Sequence, residues 1–235
     1  MPKQVDHAGR RRLIAEAVCR LADERGLEGV TLRDVAARAQ VSMGAVQRCF
    51  RTKEEMLVFT LGHVGERIDE RVQARLVRSP AQSAGTALGH AVTEISLLRD
   101  EHRAEARVWL AFVAQAAVSE ALATPLKANY AALQNAFARL VAEACEGTDR
   151  AADLDPRREA RTLLALADGL TTHVLVGHLT PEEAQDVLHT HLTGLWERPA
   201  RLPSREPSDA ADAARTAHAT HATHATHATD QPNAR

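Results

Sequence analysis

The spacing of the apolar residues restricts the fold of this 235-residue chain more than any other feature. Along most of the sequence they recur every three to four positions, which is typical of amphipathic helices. Runs that alternate apolar with polar residues, the mark of strands, are absent. Only 3% of the residues are aromatic although 45% are hydrophobic, so the core must consist mostly of Leu, Val and Ala. Because Ala and Leu are good helix formers, the sequence predicts an all-α fold.

Residues that cap or break helices divide this pattern into about nine segments. Thr31, Ser42 and Thr52 each precede a helical stretch and can accept a hydrogen bond from its first turn, and Asp155 and Thr180 do the same near the C-terminus. Glycines and prolines mark the ends. The predicted helices cover residues 10–25, 32–39, 43–50, 53–78, 83–98, 101–118, 120–146, 156–178 and 181–196.

Charge is distributed unevenly along the chain. Residues 1–53 carry eleven Lys and Arg against six Asp and Glu, whereas the remaining residues carry eighteen against twenty-five, which gives the net charge of −2. A basic end on an acidic body is expected when that end meets phosphates, although a solvated basic face has the same composition.

Residues 31–53, TLRDVAARAQVSMGAVQRCFRTK, contain two short helices joined by a tight turn. Small residues, among them Ala36 and Ala39, lie where the two helices must cross, and Val41 and Val46 fill the space between them. Such a pair is a helix-turn-helix, whose second helix fits the DNA major groove, about 12 Å wide, with its N-terminal residues against the base edges. The segment therefore predicts a DNA-binding function.

This N-terminal segment resembles the TetR family of bacterial transcriptional regulators. The resemblance covers about residues 10–60. It rests on an N-terminal helix followed by three motifs, Thr31-Leu-Arg-Asp-Val-Ala, Val41-Ser42-x-Gly44 and Phe50-x-x-Lys53-Glu54. The helix layout of the remaining chain, with the run Ala167-Asp168-Gly169-Leu170, is similar to the C-terminal domains of this family.

The resemblance implies an N-terminal three-helix helix-turn-helix domain, residues 1–52, and a larger helical ligand-binding and dimerisation domain, residues 53–198. Residues 199–235 have a different character, with prolines, one large apolar residue and four consecutive His-Ala-Thr repeats. We predict that this tail is disordered, because it cannot bury enough apolar area to offset the entropy of ordering.

Ten residues form the DNA interface that the resemblance implies. Thr31, Ser42 and Lys53 would meet the phosphate backbone, and Arg33 would lie near bases or phosphates. The full set is Thr31, Arg33, Ser42, Met43, Gly44, Ala45, Gln47, Arg48, Arg51 and Lys53.

The exposed side of the recognition helix is expected to carry Met43, Ala45, Gln47 and Arg48. Gln47 can pair with adenine and Arg48 with guanine, each contact contributing about 1–3 kcal/mol of discrimination, unless both simply face solvent. Gln47 and Cys49 stand where many family members have Tyr and His, which commonly touch phosphates, so the phosphate contacts are expected to be distributed differently.

The first turn of the predicted helix 10–25 contains three consecutive arginines, Arg10, Arg11 and Arg12. They either reach phosphates or form the solvated start of the helix.

The C-terminal part of the chain is implied to bind a ligand and a second copy. The helix predicted over 156–178 carries apolar residues on more than one face and so needs two partners, the core and a second subunit, unless it is fully buried in a monomer. By resemblance, the protein is a repressor that binds a palindromic double-stranded operator as a homodimer and is released by a small-molecule effector.

The few aromatic residues cluster in the region implied to hold the effector, and a mostly apolar or aromatic ligand is expected there. Plain core packing is the alternative for each of them. The candidate ligand-binding residues are Phe59, His63, Trp109, Phe112, Asn129, Tyr130, Gln134, Phe137 and His173.

Other functional classes lack their motifs. The sequence contains no GxSxG, HExxH, P-loop or dinucleotide-binding fingerprint, so an enzyme is not expected, nor is a cofactor or a metal. Three widely spaced cysteines, no signal peptide and no apolar stretch of membrane-spanning length predict a cytoplasmic protein. A ligand-independent regulator and a metal response through the His-Ala-Thr tail remain alternatives. A redox response through Cys49, which is expected beside the DNA groove, is a third.

Overall fold

The computed structural model describes residues 6–80, 83–146 and 154–197, and the tail from residue 199 onward lies outside them. Within these ranges the chain forms nine α-helices and no strand, which confirms the all-α prediction. The helices are α1 His7–Arg25, α2 Leu32–Arg38, α3 Met43–Cys49, α4 Lys53–Arg78, α5 Ala84–Ile95, α6 Arg103–Ala116, α7 Glu120–Cys145, α8 Pro156–Leu175 and α9 Pro181–Glu197. A short 3₁₀ turn, Asp100–His102, precedes α6.

Side-chain caps start the helices where short polar residues stand. Thr52 accepts a hydrogen bond from Glu55 N–H at 3.0 Å. Thr180 and Glu183 form a full capping box, with both reciprocal bonds present at 2.8 and 3.1 Å. Helix α1 begins three residues earlier than predicted because Asp6 caps it, accepting from Gly9 N–H at 2.8 Å.

Two helices, α5 and α8, end three residues earlier than the sequence pattern predicts. Helix α8 stops at Leu175 because the chain turns at Gly177, whose φ is +76°, and the next two amides bond back to His173 O. Helix α5 stops at Ile95, and Leu97 adopts a left-handed φ of +49°. This turn is fixed from outside, since Thr171 donates a hydrogen bond to Ser96 O at 2.6 Å.

The buried apolar residues form two clusters. The first joins α1, α2 and α3 to the beginning of α4 and to α6, and its centre includes Ile14, Val46 and Phe112. The second joins α5, α7, α8 and α9. The N-terminal three-helix unit is therefore packed on α4 and α6 through a continuous core.

Among the described residues, one bent pair of helices has the length and apolar composition of a membrane-spanning segment. No single helix is long and apolar enough to cross a bilayer, and α6 with the preceding turn passes the test only together with α7, from which it is bent by 119°.

All three cysteines are buried, including Cys49, which was expected beside the DNA groove. Cys49 faces the core because it lies four residues after Ala45, on the inner side of α3. Burial raises the pKa of Cys19 from its ordinary 9.0 to about 12, and the negative charge of the nearby Glu16 contributes to a lesser extent. These positions disfavour a thiol that senses oxidants.

Truncating Phe112 to alanine tests the first cluster. Phe112 is fully buried, so Phe112→Ala should lower the free energy of unfolding by about 3–5 kcal/mol. Chemical denaturation followed by circular dichroism would measure it. Val118→Ala, at a position that is 81% exposed, serves as the control and should stay within about 0.5 kcal/mol of the parent. Equal stabilities for both variants would contradict this packing.

The native thiols should react very slowly. The raised pKa lowers the thiolate fraction of Cys19 by about a thousandfold at neutral pH, and burial blocks access to all three sulfur atoms. With a chromogenic disulfide reagent, the folded protein should release less than one equivalent in the time in which the guanidinium-unfolded protein releases three. Rapid labelling of Cys49 in the folded chain would restore the redox alternative.

Candidate nucleic-acid interface and ligand cavity

Helix α3 presents a short exposed face at the end of the N-terminal unit. Gln40 takes a left-handed φ of +54° in the turn after α2, and Ser42 caps α3 by accepting from Ala45 N–H at 3.1 Å. Met43, Gln47 and Arg48 are exposed, whereas Val46 is fully buried. The geometry gives α3 one solvent-facing side with its N-terminus open.

Ala45 does not lie on this exposed side, and that prediction was wrong. It is only 6% exposed. Residues four apart share one face of a helix, so Ala45 points with Cys49 and Val46 into the core, while Met43 and Gln47 share the outer face.

Arg48 extends along the outer side of α3 toward its N-terminus. A Cβ placed on Gly44 would lie 3.6 Å from Arg48 Nη1, so the guanidinium covers Gly44. Helical side chains lean toward the N-terminus in this way. The cationic group is therefore carried to the end of the helix that reads base edges in helix-turn-helix proteins.

The basic residues of the N-terminal unit fall into two groups. Arg38 makes a bidentate ion pair with Glu24 at 2.6 and 2.7 Å. Within the part of the chain that the structure describes, Arg33, Arg48 and Arg51 are exposed and have no carboxylate partner. The unpaired arginines remain available to phosphates.

Two of the residues expected at phosphates also stabilise the unit itself. Lys53 is half-buried and donates to Leu27 O at 3.4 Å. Thr31 caps α2 and donates to Asp34 Oδ2 at 2.7 Å, and this bond is the main reason why the pKa of Asp34 is lowered. Their hydrogen bonds hold the loops on either side of the helix-turn-helix.

A cavity of about 660 Å³ lies between α4, α5, α7 and α8, with α6 contributing one residue. Its size is in the range of small-molecule sites. The wall is mostly apolar, including Ile68, Val72, Ile95 and Leu133. Of the residues predicted to bind a ligand, four line it: Trp109, Asn129, Tyr130 and Phe137.

The other five predicted ligand residues lie outside the cavity wall. Phe112 is fully buried in the first cluster, and Phe59 contacts Phe50 there at 5.4 Å between ring centroids. His63 bonds with Glu16 of α1 at 3.1 Å. Gln134 is half-buried beside the wall, and His173 is exposed, with its ring 4.9 Å from that of His178.

Sequence reasoning missed Asp168 as a site residue, although the run that contains it had been noticed. Trp109 Nε1 donates to Asp168 Oδ1 at 3.1 Å, and the Tyr130 hydroxyl donates to Asp168 Oδ2. Burial, and secondarily the bond to Asp168, raises the pKa of Tyr130 well above its ordinary value. Tyr130 therefore stays neutral and keeps its proton directed at the carboxylate.

Two further carboxylates, Glu66 and Asp69 of α4, stand at the wall with Asp168. Among the described residues that line the cavity none is Lys, Arg or His, and no ion pair involving these three acids is present. The cavity therefore combines an apolar wall with three carboxylates, of which Glu66 and Asp69 are exposed to solvent and Asp168 is half-buried.

The sequence matches two family models. Residues 14–58 match the model of the bacterial regulatory proteins of the tetR family, and residues 84–197 match that of the BetI-type transcriptional repressor C-terminal domain. The two matches together cover the helix-turn-helix and most of the cavity-forming helices.

Curated relatives and solved structures agree with these matches. The chain is 33% identical to the HTH-type transcriptional regulator PksA of Bacillus subtilis, over 75% of this chain and 83% of that protein. It is 34% identical to the HTH-type transcriptional regulator BetI of Burkholderia mallei, over 72% of this chain and 84% of that protein.

The fold is shared with a transcriptional regulator from a Rhodococcus species, at a TM-score of 0.70 and 28% identity, over 82% of this chain and 99% of that one. A regulator from Saccharomonospora viridis, solved in complex with choline, has the same fold at a TM-score of 0.69 and 24% identity, over 79% of this chain and 96% of that one. Because the relatives regulate transcription, the prediction of a DNA-binding regulator rather than an enzyme is confirmed. The chain belongs to the TetR family of bacterial transcriptional regulators, with a C-terminal part of the BetI type.

Proposed function

We propose that this regulator is a repressor that binds a palindromic operator as a homodimer and is released by an organic cation with an apolar body. Residues 1–52 would be the DNA-binding domain and residues 53–198 the ligand-binding and dimerisation domain. The observation that carries the effector proposal is the cavity beside α4, in which three carboxylates stand in a mostly apolar wall without a basic partner.

At the DNA, the outer face of α3 enters the major groove. Gln47 and Arg48 are exposed there and supply base contacts, and Met43 makes an apolar one. Phosphate contacts come from the surrounding residues of the interface, namely Thr31, Arg33, Ser42, Arg51 and Lys53. Ala45, being buried, would act by allowing close packing of α3 and not by touching a base.

The dimer would form on the outer faces of α8 and α9. The apolar side of α8 is already buried within one chain, so the second copy would use the other side, where Ala165 and Gly169 lie one turn apart and Val176 directly follows the helix. Val176 is 72% exposed and Val187 of α9 is 42% exposed. A Cβ on Gly169 would meet nothing within 4 Å, which leaves space for a helix to approach closely.

The proposed cation fits both kinds of group in the wall. Trp109 and Tyr130 meet edge to face, with ring centroids 6.1 Å apart, and aromatic rings attract quaternary ammonium groups. Asp168 is fixed by hydrogen bonds from both rings and supplies a nearby negative charge. The remaining wall suits alkyl groups, in agreement with the mostly apolar ligand expected from the sequence.

Helix α4 offers a direct connection between the cavity and the DNA-binding unit. Glu66 and Asp69 of α4 face the cavity, while His63 on the same helix bonds to Glu16 of α1 and Arg71 pairs with Glu105 of α6 at 2.5 Å. A ligand that shifts α4 would change the positions of α1 and α3. Ligand and DNA must then weaken each other by the same factor.

Operator binding tests the DNA part of this proposal. A mobility shift across a salt series, with the upstream DNA of the gene and a random duplex of equal length, should show tight, salt-dependent and selective binding. Arg48→Ala should lower the affinity for the selected site by about tenfold to a hundredfold and relax selectivity. Arg139→Ala, an exposed arginine of α7, is the matched control. Equal losses on both duplexes would refute base reading by Arg48.

Calorimetry with choline and its neutral isostere 3,3-dimethylbutan-1-ol tests the charge requirement of the cavity. Choline should bind, should release the DNA, and should bind at least about tenfold more tightly than the neutral alcohol. Asp168→Asn and Glu66→Gln should each reduce this preference. Glu70→Gln, on the same helix but outside the wall, should not. Tighter binding of the alcohol would contradict the cationic effector and indicate that the cavity binds an uncharged apolar ligand.

A further inference from the structure

The side chain of Arg11 lies in a wedge between two aromatic rings. Its guanidinium carbon is 4.5 Å from the centroid of Phe50 and 4.5 Å from that of Phe59, and the two rings are tilted by 54° to each other. A guanidinium in this position is held by cation–π attraction on both sides. Phe50 directly follows α3 and Phe59 belongs to α4, so one α1 residue contacts both elements.

Glu55 completes the attachment. Its Oε1 is 3.6 Å from Arg11 Nη2, and its Oε2 accepts a hydrogen bond from Arg51 N–H at 2.9 Å. The same residue donates its backbone N–H to Thr52 at 3.0 Å. Arg11 is therefore connected through one carboxylate to the loop that links α3 to α4.

Burial shows that most of the Arg11 side chain is withdrawn from solvent. The Arg11 side chain is 27% exposed, and its Nε is buried without a hydrogen-bond partner among the described residues. Phe50 is 1% exposed and leaves α3 in an extended conformation. The neighbouring Arg12, by contrast, is exposed. Of the three arginines considered for phosphate contacts, Arg11 is thus already occupied.

We propose that Arg11 is a positioning residue for DNA recognition, which fixes the C-terminal end of α3 against α1 and α4 without touching DNA. The proposal rests on the proposed operator binding. Specific recognition requires α3 at one angle in the groove, whereas non-specific binding depends on phosphate contacts alone. Loss of the wedge therefore lowers the affinity for a specific site more than the affinity for random DNA.

The test compares two probes with the full-length chain: a duplex that the parent protein selects from a random-sequence pool, and a random duplex of the same length. Arg11→Met keeps the apolar stem and removes the planar cation. It should weaken binding to the selected duplex by about tenfold, leave binding to the random duplex within about twofold, and leave the salt slope unchanged. Arg20→Met, at an exposed position of α1, controls for the loss of an arginine from this helix.

Two results would overturn the proposal. If Arg11 contacts a phosphate, both affinities fall together and the salt slope decreases by about 0.9. If Arg11 only stabilises the fold, both affinities fall by the same factor at an unchanged slope, in step with the folded fraction. A parent protein that selects no duplex refutes operator binding itself, and this inference with it.

A conservative variant and a double-mutant cycle keep the test decisive if Arg11→Met folds poorly. Arg11→Lys keeps the charge but not the planar group, so its selectivity should fall at an unchanged salt slope, and full retention would count against the wedge. The effects of Arg11→Lys and Phe59→Leu on selectivity should also be less than additive when combined. Strict additivity would show that the ring contact does not matter for recognition.

Discussion

The shared burial of α1 and α4 is the constraint on which the rest of the structure depends. Helix α4 spans about 39 Å, given a rise of 1.5 Å for each of its 26 residues. Its first half, with Met56, Leu61 and Val64, is buried in the same core as α1 and α6, and residues between Val58 and Leu76 form one wall of the cavity. One helix therefore belongs both to the packing that holds the recognition helix and to the surface that a ligand can touch.

Most helix starts could be predicted because a cap is a local signal. Thr31, Ser42 and Thr52 each bond to an amide three residues on, and the sequence alone contains that pattern. The ends of α5 and α8 were harder to predict from the sequence. The left-handed turn at Leu97 occurs at a leucine and is secured by Thr171, which lies far along the chain, so no local pattern announces it.

The helix-turn-helix was easier to predict than the cavity, again because its signals are local in the sequence. The helix-turn-helix is contiguous, and only Ala45 and Cys49 were placed on the wrong side, because membership of a motif does not fix the side of a seven-residue helix to which a residue points. The cavity is assembled from five helices. The sequence indicated aromatic residues on the helices that form the cavity, but His63 and His173 were chosen by composition alone. Asp168 could not be chosen from the sequence, because its role depends on two rings that α6 and α7 bring to it.

The bond between Trp109 and Asp168 has a practical consequence. The chain has two tryptophans, and they stand in different surroundings: Trp109 is 6% exposed at the cavity wall, and Trp196 of α9 packs against Gly85. An indole whose N–H points at a carboxylate emits light at a wavelength sensitive to any charge that arrives nearby. The molecule thus contains its own optical reporter of cavity occupancy, and replacing Trp196 with phenylalanine would leave that signal nearly free of background.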